Sequence, residues 1–176
     1  MGALWSAAPT ILAIIDTHHG ASAPVNDDWV DFLFVMLDAD ARFLVIGAHA
    51  LAAHGVPRAT QDLDLWVDPA GDNPRRVLRA LAAFGAPVAS LKVTVEDLER
   101  PDAVIQIGVP PTRIDLLTSI SGVATFAQAW DARLLVDVRG RQVPFLDRQT
   151  LIQTKRATGR HKDLGDLEAL GEMGTA

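Results

Sequence analysis

Residues 43–68, FLVIGAHALAAHGVPRATQDLDLWVD, decide how the chain reads. A short apolar run over 43–46 stops at Gly47, helix formers over 48–54 stop at Gly55, and a second apolar run, DLDLWV, begins at Asp62. The order is strand, glycine turn, short helix, strand. Strand side chains alternate between faces, so Asp62 and Asp64 project together while Leu63, Leu65 and Val67 face the other way. Two such carboxylates repel each other and resist desolvation unless water, a cationic side chain or a metal compensates; Mg²⁺ is commonly held by one or two carboxylates together with substrate phosphates. Any chemistry of the chain is therefore expected here.

The flanks of the aspartates carry weaker signals. Gly47 permits a tight turn and close approach of a ligand to the backbone, and the free amides of the helix that follows favour an anion. Alone, that pattern is more often simple topology. His49 and His54 read as packing or surface residues. Gly55, Pro57 and Thr60 mark a loop, and Arg58 on it either neutralises the acids or a phosphate, or is an ordinary solvated arginine or a partner of Asp62.

Outward from this stretch, residues 1–26 show no clean periodicity and form an arm without an assigned role; the adjacent His18 and His19 point in different directions. A helix over about 27–41, capped by Asn26 or Asp27, has an apolar face of Trp29, Phe32, Leu33, Met36 and Leu37. Past the aspartates, Asn73 and Pro74 open a helix to about 84, and residues 88–102 are ambiguous. Strands over 103–109 and 113–117 flank Pro110-Pro111-Thr112 as an antiparallel pair. Asp115 is the one acid in the second, costly there without a partner or cation. A helix over 123–132 and a hairpin over 134–145, turning at Arg139-Gly140, follow. Asp147 caps a last helical region that breaks at Gly159-Arg160. The expected organisation is the arm, a core over 27–146, and a helical segment over 147–176 packed on it.

Composition narrows the class. The 176 residues fit one domain, and 49% hydrophobic against 22% charged residues is globular rather than disordered. A net charge of -6 argues against a uniformly basic nucleic-acid coat. Without cysteine, any metal must be held by oxygen or imidazole. No apolar run reaches the roughly 18–20 residues of a membrane span. The run over 10–15 lacks a basic segment before it, so a cytoplasmic protein without a membrane partner is expected.

Taken together, Gly47-Ala48, then Gly55, Arg58 and Thr60 ahead of Asp62-Leu63-Asp64, the later Arg113-Ile114-Asp115-Leu116-Leu117, and the run KRATGRHKDLGDL over 155–167 resemble the nucleotidyltransferase superfamily related to DNA polymerase β. The likeness is strongest to its small bacterial branch around the AbiEii-type toxins. It implies an α+β fold, a nucleotidyltransferase-like mixed sheet flanked by helices with C-terminal helices. It also implies an enzyme that moves a nucleoside monophosphate from an NTP to a hydroxyl on RNA, protein or a small molecule, with Mg²⁺ or Mn²⁺ as cofactor. Asp62, Asp64 and Asp115 would hold the metal, and Asp115 would help activate the acceptor. Gly47, Ala48, Arg58, Thr60 and Lys155 would meet the nucleotide, Lys155 reaching the triphosphate. Arg160, Asp163 and Asp166 would support Lys155 or the acceptor. A toxin role, with tRNA or protein as acceptor and a cognate antitoxin as partner, belongs to the same implication. Ala48 stands where the superfamily usually has glycine or serine, and it supplies no hydroxyl. The alternative is accordingly a catalytically weak member that binds nucleotide or serves as an interaction module. A hydrolase using the histidines lacks the H-x-H-x-D-H or H-E-x-x-H spacing.

Overall fold

The computed structural model describes residues 26–172. Apart from Asn26, the arm expected over 1–26, with His18 and His19, lies outside the described residues, as do residues 173–176. The chain runs α1 (Asp27–Asp38), β1 (Phe43–Val45), α2 (Gly47–Ala53), β2 (Asp62–Val67), α3 (Asn73–Phe84), α4 (Val88–Leu91), α5 (Val95–Glu99), β3 (Val104–Ile107) and β4 (Arg113–Leu117). It continues through α6 (Phe126–Ala132), β5 (Leu134–Val138), β6 (Arg141–Phe145), α7 (Arg148–Thr158) and α8 (His161–Ala169).

The strands form one six-stranded sheet in the order β3-β4-β2-β1-β6-β5. It is mixed: β1 runs antiparallel to β2, while β2 with β4 and β1 with β6 are parallel pairs. The β3–β4 and β5–β6 neighbours are antiparallel, as the two turn signals require. Parallel neighbours need a long crossover, and α3 to α5 supply it between β2 and β4. The architecture is the expected α+β class.

Burial follows the periodicities. Phe32 and Met36 of α1, all of β1, and Leu63 and Leu65 of β2 are buried with Ile114, Leu116 and Phe145 in one core. Strands β2 and β4 therefore carry little freedom to slide, because a one-residue slip would turn leucines outward and aspartates inward.

Helix ends differ from the sequence reading for local reasons. The helix expected to about 41 stops at Asp38: Asp40 takes a left-handed φ of 54°, its N–H bonds the Leu37 carbonyl, and the Ala41 N–H bonds that of Met36. This is a Schellman closure built on aspartate where glycine is usual. The stretch over 88–102 becomes α4 and α5, the latter held by a capping box between Thr94 and Asp97. The helix expected from 123 begins at Phe126, where the Thr125 hydroxyl accepts from the Gln128 N–H. Asn73 is the first residue of α3 rather than its cap, which is Asp72. Its side-chain amide is spent elsewhere: it donates to the Arg42 and Asp68 carbonyls and accepts from the Arg42 N–H, tying the end of β2 to the start of β1.

Candidate metal and nucleotide site

Parallel pairing of β2 with β4 sets Asp62 beside Arg113 and Asp64 beside Asp115. All four side chains lie on one face of the sheet by alternation, with Leu63 and Ile114 on the other. One carboxylate oxygen from each of Asp62, Asp64 and Asp115 lies within 4.8 Å of the other two. A purely oxygen donor set of this kind suits a hard divalent cation such as Mg²⁺ or Mn²⁺.

The site is short of positive charge. Asp115 is 7% exposed, and its Oδ1 is buried without a hydrogen-bond partner. Burial first, then the charges of Asp62 and Asp115, push the Asp64 carboxyl up to about 6. Burial acts on Asp62 in the same direction, but the Thr60 hydroxyl and the Arg113 guanidinium outweigh it and hold Asp62 below the usual carboxylate range. A buried, unpaired carboxylate oxygen beside a second carboxyl whose pKa is raised marks a donor set short of a cation, so these residues fit the metal that the sequence resemblance implies.

A stability test follows from Asp64. Its folded pKa lies above the unfolded value, so its contribution is full below about 3.8 and is lost as pH rises through about 6. Asparagine cannot ionise. Asp64→Asn is therefore expected to stabilise the metal-free protein at pH 7.5 by on the order of 1–3 kcal/mol, with the gain shrinking toward pH 4. Urea midpoints across this range check it, and a gain independent of pH contradicts the assignment.

Gly47 is built into the same place. It has φ +63°, and a Cβ there would stand 2.2 Å from Asp64 Oδ2. The glycine thus makes room for a carboxylate, while the Ile46 N–H donates to the Asp64 carbonyl at 3.0 Å. Ala48 follows with its side chain buried at 4% exposure, so a hydroxyl at this position would also be buried.

Thr60 lies at the entry to β2, where its Oγ1 donates to Asp62 Oδ1 at 2.5 Å and orients that carboxylate. Arg58 does not meet Asp62; its Nε lies 3.3 Å from Asp166 Oδ1. Lys155 is buried, with its Nζ 2.5 Å from Asp166 and 3.4 Å from Asp163. Asp163 also accepts from Arg160 Nε at 2.7 Å and Thr158 Oγ1 at 2.8 Å. Burial opposes its ionisation, but these donors and the Lys155 charge hold its carboxyl below the usual range. Arg58, Lys155, Arg160, Asp163 and Asp166 therefore form one network joining the loop before β2 to α7 and α8.

Two residues near the acids escape sequence reasoning. Arg113 Nη2 lies 2.5 Å from Asp62 Oδ2 and 3.2 Å from Asp115 Oδ2. Its spacing of two from Asp115 in a strand is the available signal. Lys162, at the start of α8, exerts its charge on both Asp62 and Asp64, and nothing local in the sequence marks it. His49 and His54 have structural contacts: His54 Nε2 meets the Leu146 carbonyl at 2.8 Å, and the His49 ring meets Trp29 edge-on at 5.0 Å. Burial depresses the His49 pKa to about 4, with the Asp62 backbone and carboxylate opposing.

No family model matches the sequence, and no curated protein matches it. Among solved structures, a Thermotoga maritima protein provisionally described as a nucleotidyltransferase superimposes with a TM-score of 0.53, covering 86% of this chain and 97% of its own. The fold is nucleotidyltransferase-like. At 14% identity the likeness is one of architecture. This nucleotidyltransferase-like sheet carries its acids on β2 and β4, and no helix among the described residues is long and apolar enough to cross a membrane.

Proposed function

We propose that this chain is a metal-dependent nucleotidyltransferase, transferring a nucleoside monophosphate from an NTP to a hydroxyl on RNA, protein or a small molecule. The observation that carries this reading is the convergence of Asp62, Asp64 and Asp115 within 4.8 Å, with an Asp115 oxygen buried and unpaired. Mg²⁺ or Mn²⁺ bound there would supply charge neutralisation for the phosphates and a lowered pKa for the acceptor hydroxyl. In the reaction the hydroxyl oxygen attacks the α-phosphorus, the bond to the β-phosphate oxygen breaks, and pyrophosphate leaves. Asp115 is assigned to the acceptor side, where it helps draw off the hydroxyl proton. Thr60 holds Asp62 in place, and Gly47 keeps Asp64 close to the backbone at the start of α2. In the C-terminal network, three cations, Arg58, Lys155 and Arg160, face two carboxylates, and the surplus positive charge suits a triphosphate.

The run over 155–167 further supports a place in the AbiEii-type branch, as a cytoplasmic toxin with tRNA or protein as acceptor and a cognate antitoxin. A second reading, a nucleotide-binding or interaction module without turnover, is favoured by one observation: Ala48 presents no hydroxyl and is buried.

The test incubates each labelled NTP with Mg²⁺ or Mn²⁺ and with tRNA and protein acceptors, alongside calorimetry of NTP with metal. Label transfer that Asp62→Ala removes supports the enzyme. Binding without transfer supports the module, and equal behaviour of wild type and Asp62→Ala in both measurements rules out the site.

A further inference from the structure

Within the acidic site, Arg113 occupies the place where positive charge is needed. Its Nη2 donates to Asp62 Oδ2 and lies within ion-pair distance of Asp115 Oδ2, so one guanidinium bridges two of the three carboxylates expected to hold the metal. The fit is partial. Arg113 Nε is buried without an acceptor, Asp115 Oδ1 is buried without a donor, and Asp64 has no ion pair among the described residues. A guanidinium cannot replace an ion that takes several oxygens at about 2.0–2.1 Å, yet it lowers the negative charge that would attract one.

We propose that Arg113 makes metal binding conditional on the nucleotide: it blocks Asp62 and Asp115 until a triphosphate draws the guanidinium away. This rests on the nucleotidyltransferase reading and adds a residue that sets the order of assembly.

The chemistry favours such an exchange. Arginine pairs with phosphate as readily as with carboxylate, through the same planar donors. Arg113 shares a sheet face with the acids, so phosphates bridged to a metal on those acids fall within reach of its side chain. Its Nε, unspent beside the carboxylates, would gain an acceptor in the move. The divalent cation then takes the oxygens released. By linkage the effect is mutual: the nucleotide tightens metal binding and the metal tightens nucleotide binding by the same factor.

Mn²⁺ binding, followed by electron paramagnetic resonance and calorimetry, tests this without turnover. The samples are the full-length wild type, Arg113→Gln and Arg113→Lys, each with and without a non-hydrolysable NTP. For the wild type, Mn²⁺ alone is expected to bind weakly, and the nucleotide to tighten it on the order of tenfold beyond the Mn²⁺ affinity of the nucleotide itself. Arg113→Gln is expected to bind Mn²⁺ alone about tenfold tighter than wild type, with the nucleotide enhancement lost. Arg113→Lys, which keeps the charge but loses the fork, should fall between them and shows that the effect is not one of misfolding. Equal affinity for Mn²⁺ alone in wild type and Arg113→Gln overturns the inference, and so does weaker binding in the variant. The function proposed above survives either result provided Asp64→Asn removes Mn²⁺ binding. If wild type and Asp64→Asn bind Mn²⁺ alike, both readings fall.

Discussion

Lys155→Met is expected to lower the stability of the fold by about 3–5 kcal/mol, the cost of leaving buried carboxylates without their cation. Lys155 is 5% exposed, and Asp163 and Asp166 beside it are 2% and 6% exposed. Methionine fills most of the same volume, so lost charge rather than lost packing is what the substitution measures. Both acids keep one other cation, Arg160 for Asp163 and Arg58 for Asp166, each more exposed than Lys155. Arg160 helps to hold the Asp163 carboxyl below the usual range, so these arginines soften the loss without supplying the buried charge of the lysine. Urea unfolding gives the result directly, as a fall in midpoint at unchanged slope. The triple variant with Asp163→Asn and Asp166→Asn is expected to recover most of the loss, since it removes the stranded charges. If the single and triple variants are equally unstable, the damage lies in packing and the electrostatic account fails.

Gly47→Ala is expected to act on stability and site together. A left-handed conformation costs a residue with a Cβ roughly 1–2 kcal/mol, and here the added carbon also collides with Asp64 Oδ2. The carboxylate has to move. If Asp64 holds the metal as proposed, its displacement on the scale of an ångström is expected to lower transfer on the order of a hundredfold. Gly55→Ala separates the two effects, because Gly55 has φ +88° and nothing within 4 Å of the place its Cβ would take. It should lose similar stability and keep wild-type Mn²⁺ affinity and transfer. Loss of metal binding in Gly55→Ala, or its retention in Gly47→Ala, contradicts the role given to Gly47.

Much of this site is legible before any tertiary contact is known. The alternation of Asp62-Leu63-Asp64-Leu65 puts both acids on one face, and the lone acid of an apolar strand at Asp115 marks the third candidate. Glycine at 47 is legible as a turn. Its closeness to Asp64 is not, since the place of a glycine before a helix says nothing of what packs against it from β2. Arg58 shows the limit in another way: the sequence offers it the nearby acids, a phosphate or solvent, and the partner it meets, Asp166, is over a hundred residues away. Asp40 misleads for a local reason, because aspartate closes a helix where glycine is the usual signal.

The chain itself determined which residues carry charge, which strands alternate and where the turns fall, because those depend on spacing and on backbone preferences within a few residues. Tertiary structure decided that β4, not β3, lies parallel to β2, and in which register. That pairing joins segments some fifty residues apart and rests on the burial of Leu63, Leu65, Ile114 and Leu116 together. From it came the approach of Asp64 to Asp115, the bridge from Arg113 to Asp62, and the Asp115 share of the lift in the Asp64 pKa. Each needs distances between strands, and the sequence holds distances only along the chain.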